Sequence, residues 1–135
     1  SRPRSPSAGA RVAAPIDQSV PEGPLVAVAA GGPPLDRLAE LAESMPTGEW
    51  RARSDAAQAV ACYLACHPRV AAVRYPGLTS DPDYQRASSA LRRGFGPWVD
   101  VCLAGAKKPG WLRLDVTDAD APAWVCRLEA LLAER

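Results

Sequence analysis

Long apolar runs, aromatic side chains and lysine are all scarce in this 135-residue chain. No apolar stretch approaches the roughly 20 residues that a helix needs to cross a bilayer, so no membrane partner is expected. The opening residues, SRPRSPSAGARVAA, carry arginine but no sustained apolar run, and they do not read as a secretory signal. Aromatics are 6% of the residues, so a core must rest on Val, Leu and Ala with a few Trp anchors. Neither sign of charge predominates: 16 Lys and Arg face 15 Asp and Glu, for a net charge of +1. Without a basic stripe or a long-range positive field, a nucleic-acid partner is not expected. The four cysteines, Cys62, Cys66, Cys102 and Cys126, are too widely spaced to suggest a disulfide framework. We read them as reduced thiols and the compartment as cytoplasmic.

What is present is an ordinary globular balance, with 47% hydrophobic and 23% charged residues. The length suits one domain with a real core. Residues 1–23 are rich in Pro, Ser, Gly and Arg and read as a flexible N-terminal arm. Residues 24–135 read as a single domain. Leu25–Ala29 is a short strand candidate, bounded by Pro24 and by the Gly31-Gly32-Pro33-Pro34 turn. Leu35, Leu38, Leu41 and Ala42 recur at helical spacing and stop before Pro46. A second helix runs from about Gly48 to Ala65, with Ala56, Val60, Tyr63 and Leu64 inward and Trp50 near the surface.

Arg69–Tyr75 reads as a strand closed by Pro76-Gly77. Asp81-Pro82 is a helix start, with the acid as cap and proline in the first turn, and that helix reaches about Arg93. Gly94-Phe95-Gly96-Pro97 breaks it. Trp98–Leu103 and Trp111–Val116 are strands, and in the second Arg113 and Asp115 share the face opposite Leu112 and Leu114. Asp120 caps a final helix with Trp124, Leu128, Leu131 and Leu132 on its buried side. The order predicts an α+β domain: a two-layer sandwich with a small, mostly antiparallel sheet and helices on one face.

An ordered set of pieces from Arg51 onward carries a family resemblance. They are RARSDAAQAVACYLACHPRV, Tyr75-Pro76-Gly77-Leu78, Ser80-Asp81-Pro82, Gly94-Phe95-Gly96, Gly110-Trp111-Leu112-Arg113-Leu114, and the closing helix LEALLAE. In that order they resemble the C-terminal domain of the Cys/Met-metabolism (trans-sulfuration) family of pyridoxal-phosphate enzymes, such as cystathionine gamma-synthase. The resemblance implies a domain like the C-terminal domain of fold-type I enzymes. It also implies that Arg113 sits where the family's arginine holds the substrate α-carboxylate, a task suited to a planar, forked guanidinium.

The sequence also departs from that pattern. The cofactor domain and its Schiff-base lysine context have no counterpart, and the only lysines are Lys107 and Lys108 in an A-K-K-P-G loop. A short loop stands where the family carries a long one between Leu103 and Gly110. Pro97 replaces a glycine, and Asp115 stands where serine is usual.

Each candidate side chain also has a plainer reading. Arg113 could equally be a strand arginine paired with Asp115 or Asp100. Cys62 and Cys66, at i and i+4, share a helix face and with His67 could ligate a metal, but a buried small hydrophobe is the stronger reading of the two cysteines, and no metal site is assigned. Asp100 and Asp115 could work as acid and base, or simply lie on a polar sheet face. Trp98, Trp111 and Trp124 read as core or interface anchors.

The expected function is a non-catalytic remnant of a cystathionine gamma-synthase-like domain, with no catalytic residue and no cofactor bound by this chain alone. It would act as an oligomerisation or partner-binding module, as a homo-oligomer or with a full-length pyridoxal-phosphate enzyme. The alternative is the substrate-carboxylate part of such an enzyme whose cofactor site lies on another chain.

Overall fold

The computed structural model describes residues 25–105 and 110–133. The expected arm at 1–23, and with it Lys107 and Lys108, lies outside the described residues. The elements run β1 Leu25–Val28, α1 Leu35–Ser44, α2 Thr47–Ala65, β2 Val70–Arg74, α3 Tyr84–Ala90, β3 Trp98–Leu103, β4 Trp111–Asp115 and α4 Ala121–Ala133. The four strands form one antiparallel sheet in the order β1-β4-β3-β2. It is the α+β sandwich expected from the sequence.

Alternation along the strands sends one set of side chains to the helices. Val99, Val101 and Leu114 are fully or almost fully buried there with Leu25 and Val116. Helices α2 and α4 cover them, α2 through the small residues Ala56, Ala57 and Ala61. Alanine at these positions lets the helix axis approach the sheet closely, and Val60, Leu64, Trp124, Leu128 and Leu132 fill the remaining volume. The α4 cap forms as read, with the Ala123 amide donating to Asp120 Oδ1 at 3.1 Å.

A second, smaller cluster joins α1 and α3 through Leu38, Trp50, Ala87 and Leu91. Trp50 is only 2% exposed, which corrects the expectation of a surface position. Its indole Nε1 donates to the Arg92 carbonyl at 3.1 Å, so the one polar atom of the ring is satisfied inside.

The third helix is shorter than read: it starts at Tyr84 and ends at Ala90 rather than spanning Asp81 to Arg93. The reason lies in Asp81. Its carboxylate accepts from Arg74, from the Tyr75 amide and from the Asp83 amide, so it ties a turn to β2 instead of capping a helix. At the other end Leu91 is already extended, with φ −113 and ψ 145, so the helix stops at Ala90. The two α2 cysteines are also misplaced by the sequence reading: Cys62 and Cys66 are exposed, because the helix turns its alanines inward instead. All four cysteines are free.

Candidate functional site

The side chains that alternate away from the helices build a polar face. In register, Arg74 of β2 stands beside Asp100 of β3, and Asp100 beside Arg113 of β4. Trp98 and Trp111 flank them on the same face.

Arg113 and Asp100 make a bidentate pair. Nε donates to Oδ1 at 2.8 Å and Nη2 to Oδ2 at 2.9 Å. Asp100 is fully buried, whereas the Arg113 side chain is 19% exposed. A third donor reaches the carboxylate from above: the Gly32 amide, 2.9 Å from Oδ2. The guanidinium also lies over the Trp98 ring, 5.2 Å from its centroid. Of the two partners that the sequence offered Arg113, the tertiary structure takes Asp100. Asp115 pairs with Arg53 instead, at 3.0 Å. Asp100 and Asp115 therefore do not meet as acid and base.

Arg74 extends the network. It donates through Nε to Asp81 at 2.9 Å and through Nη2 to Asp83, also at 2.9 Å. Nη1 reaches the Gly31 carbonyl at 3.4 Å. The hydrogen bond to Asp81 raises the Arg74 pKa above its ordinary value; burial opposes this, and the charges of Asp81, Asp83 and Asp100 reinforce it. The result is an alternating row of charges, Arg113, Asp100, Arg74 and Asp81, in which the Asp100 carboxylate and the Arg74 guanidinium hold the glycine turn after β1 against the sheet.

Sequence reasoning missed Arg74, Asp81 and the Gly31-Gly32 turn as members of this face. The only local signal was the glycine pair beside a strand end. The glycine turn finds its partners far away in sequence, 68 positions for Gly32 and Asp100 and 43 for Gly31 and Arg74.

Other candidates stay apart. His67 accepts the Arg69 amide through Nδ1 at 3.0 Å and stacks edge-on against Tyr63. Among the described residues, no group of three or more His, Cys, Asp or Glu side chains could hold a metal ion. Trp124 is a core anchor, while Trp98 and Trp111 are half-buried on the polar face.

With this geometry in hand, comparison with known proteins is informative. Residues 49–104 match the sequence profile of the family described as Cys/Met metabolism PLP-dependent enzyme. Cystathionine gamma-synthases of Mycobacterium tuberculosis and Mycobacterium bovis are 44% identical over 55 residues, which is 41% of this chain and 14% of theirs. Among solved structures, cystathionine gamma-synthase from Xanthomonas oryzae pv. oryzae in complex with cystathionine superposes with a TM-score of 0.59. It is 20% identical over 64% of this chain and 34% of that one. The metB structure from Corynebacterium glutamicum gives 0.59 at 17% identity, over 65% and 34%. The chain thus spans about a third of the solved relatives and far less of the curated ones.

The polar face does not fit the phosphate of pyridoxal phosphate. A phosphate needs uncompensated donors, and both guanidinium groups of the polar face are committed to carboxylates. In sequence over residues 49–104, and in fold over a wider stretch, the chain nonetheless resembles the Cys/Met-metabolism PLP-dependent enzyme family, in particular cystathionine gamma-synthase.

Proposed function

We propose that residues 24–135 form one non-catalytic domain, a counterpart of the C-terminal domain of a cystathionine gamma-synthase. It works as an oligomerisation or partner-binding module linked to sulfur amino-acid metabolism. One observation carries the non-catalytic reading: the arginine that the resemblance assigns to a substrate carboxylate already grips the buried Asp100 with two N–H groups. A guanidinium spent in this way stabilises the fold and does not select a substrate.

The partner-binding reading draws on the sheet edges. Strand β1 is an edge strand of sequence LVAV with no charged residue, and Val26 is 62% exposed. Uncharged edges of this kind invite pairing with another strand. The partner would be a second copy or a complete enzyme of the family. Free cysteines, three of them exposed, suit a reducing compartment, in keeping with the cytoplasm.

The test is light scattering coupled to gel filtration, on the chain alone and mixed with a purified cystathionine gamma-synthase. A dimeric mass, or a complex of defined stoichiometry, is expected. A strictly monomeric chain that does not shift the enzyme's elution would refute the module.

A second reading, substrate-carboxylate binding by Arg113 with a cofactor site on another chain, has one observation in its favour. Nη1 has no hydrogen-bond partner among the described residues, and the side chain is not fully enclosed. Calorimetric titration with cystathionine, in the presence of that same enzyme, tests it. Heat that disappears in Arg113→Met would favour this reading over the first.

A further inference from the structure

We propose that Asp100 is a built-in ligand: its carboxylate fills, from within, an anion site formed by the Arg113 fork and the Gly32 amide. The site is complete in its donors. Two parallel N–H groups come from one guanidinium and a third from the backbone, all within 2.9 Å of the two carboxylate oxygens. This is the donor set that recognises a small monocarboxylate. Here the carboxylate is supplied by the neighbouring strand.

Contacts that do not involve Asp100 also shape the positions of these donors. Trp98 supports the guanidinium from one side. The Gly31-Gly32 turn closes from the other, so tightly that a Cβ on Gly31 would lie 2.3 Å from the Trp111 ring. Gly32 has φ +103, and a Cβ there would fall 2.8 Å from Arg74 Nη2. Only glycine brings the amide this close. Arg74, held by donating to Asp81 and Asp83, fixes the same turn by donating to the Gly31 carbonyl. None of these contacts uses Asp100 itself.

The consequence is that the intact chain is closed to free carboxylates, and that removing the Asp100 side chain opens a site of formate or acetate size. The inference needs neither a partner nor a cofactor, and it shares with the first reading only the Arg113–Asp100 pair. Under the second of them, a substrate would first have to displace Asp100.

The experiment compares the intact chain with Asp100→Ala and with Asp100→Ala/Arg113→Met. Each is titrated with formate and acetate, against chloride at equal ionic strength, and read by thermal unfolding. The single variant should show a saturable rise in Tm of about 3 °C over chloride. The double variant should lose that rise, and the intact chain should respond only as it does to chloride. A saturable carboxylate response from the intact chain overturns the proposal, as does a folded Asp100→Ala that responds no more than to chloride. Should Asp100→Ala not fold, the Arg113 Nε–H resonance of the intact chain decides. It should be slow to exchange and unmoved by acetate, and a saturable shift would overturn the closed site.

Discussion

Arg113 and Asp100 show how a residue's role depends on what it faces. A buried carboxylate that keeps all three donors is stabilising; one that loses its cation is left charged and unpaired. Replacing Arg113 with Met should therefore lower the unfolding free energy by about 3–5 kcal/mol, read by urea denaturation. Arg113→Lys should recover only part of the loss, since an ammonium cannot make the two parallel bonds. A loss below about 1 kcal/mol in Arg113→Met would mean that the pair contributes no more than a surface ion pair.

Tyr75 gives a second test at this scale. Its fully buried hydroxyl lies 2.8 Å from the Gly96 carbonyl and 3.2 Å from that of Ser54. Burial, with the nearby charges of Asp55 and Cys62 adding to it, pushes its pKa well above the usual 10.0. The neutral form is thus favoured in the folded state. Its stabilisation is complete below pH 10 and is lost as pH rises beyond that value. Above pH 10 the parent should lose stability faster than Tyr75→Phe, while near neutrality the variant should be weaker by about 1 kcal/mol. Parallel pH profiles for the two would argue against the buried hydroxyl as a titrating group.

Among the elements, two glycines on or near helices show how context sets the sign of one substitution. Gly96 enters β3 with φ +99, and an added Cβ would lie 2.6 Å from Leu38 Cδ2 in the second cluster. Gly48 sits in the first turn of α2 with nothing near its Cβ position. Gly96→Ala should cost about 1–3 kcal/mol, whereas Gly48→Ala should stabilise by about 0.5 kcal/mol. Thermal melts of the two variants read the difference directly, and equal effects would contradict the packing described around Leu38.

For the whole molecule the question is what the β1 edge, left unpaired among the described residues, does. The β1 ladder faces β4 on one side only. Val26→Glu places a charge on this edge without touching either core cluster, and opposite Arg113 rather than a like charge. It should abolish self-association in sedimentation velocity and leave Tm within about 2 °C of the parent. Persistence of a dimer in this variant would move the interface away from β1. Among the described residues Val26 is the one large hydrophobic that is exposed.

The sequence by itself determined the strand and helix order, the inward and outward faces of β3 and β4, and the Asp120 cap. Each depends on side-chain period or on a neighbour within three positions. It also carried the family likeness, in pieces whose order survives where single pieces are weak. Only the tertiary structure decided which carboxylate Arg113 holds, because Asp100 and Asp115 share its face and the partner it takes, Asp100, is the one farther away in sequence. Strand register, set by how β3 and β4 pair, puts Asp100 beside it and turns Asp115 toward Arg53. Likewise Asp81 had the local look of a cap, and a cation on β2 claimed it instead. Charge pairing across strands acts through space, at separations along the chain where local pattern carries no information.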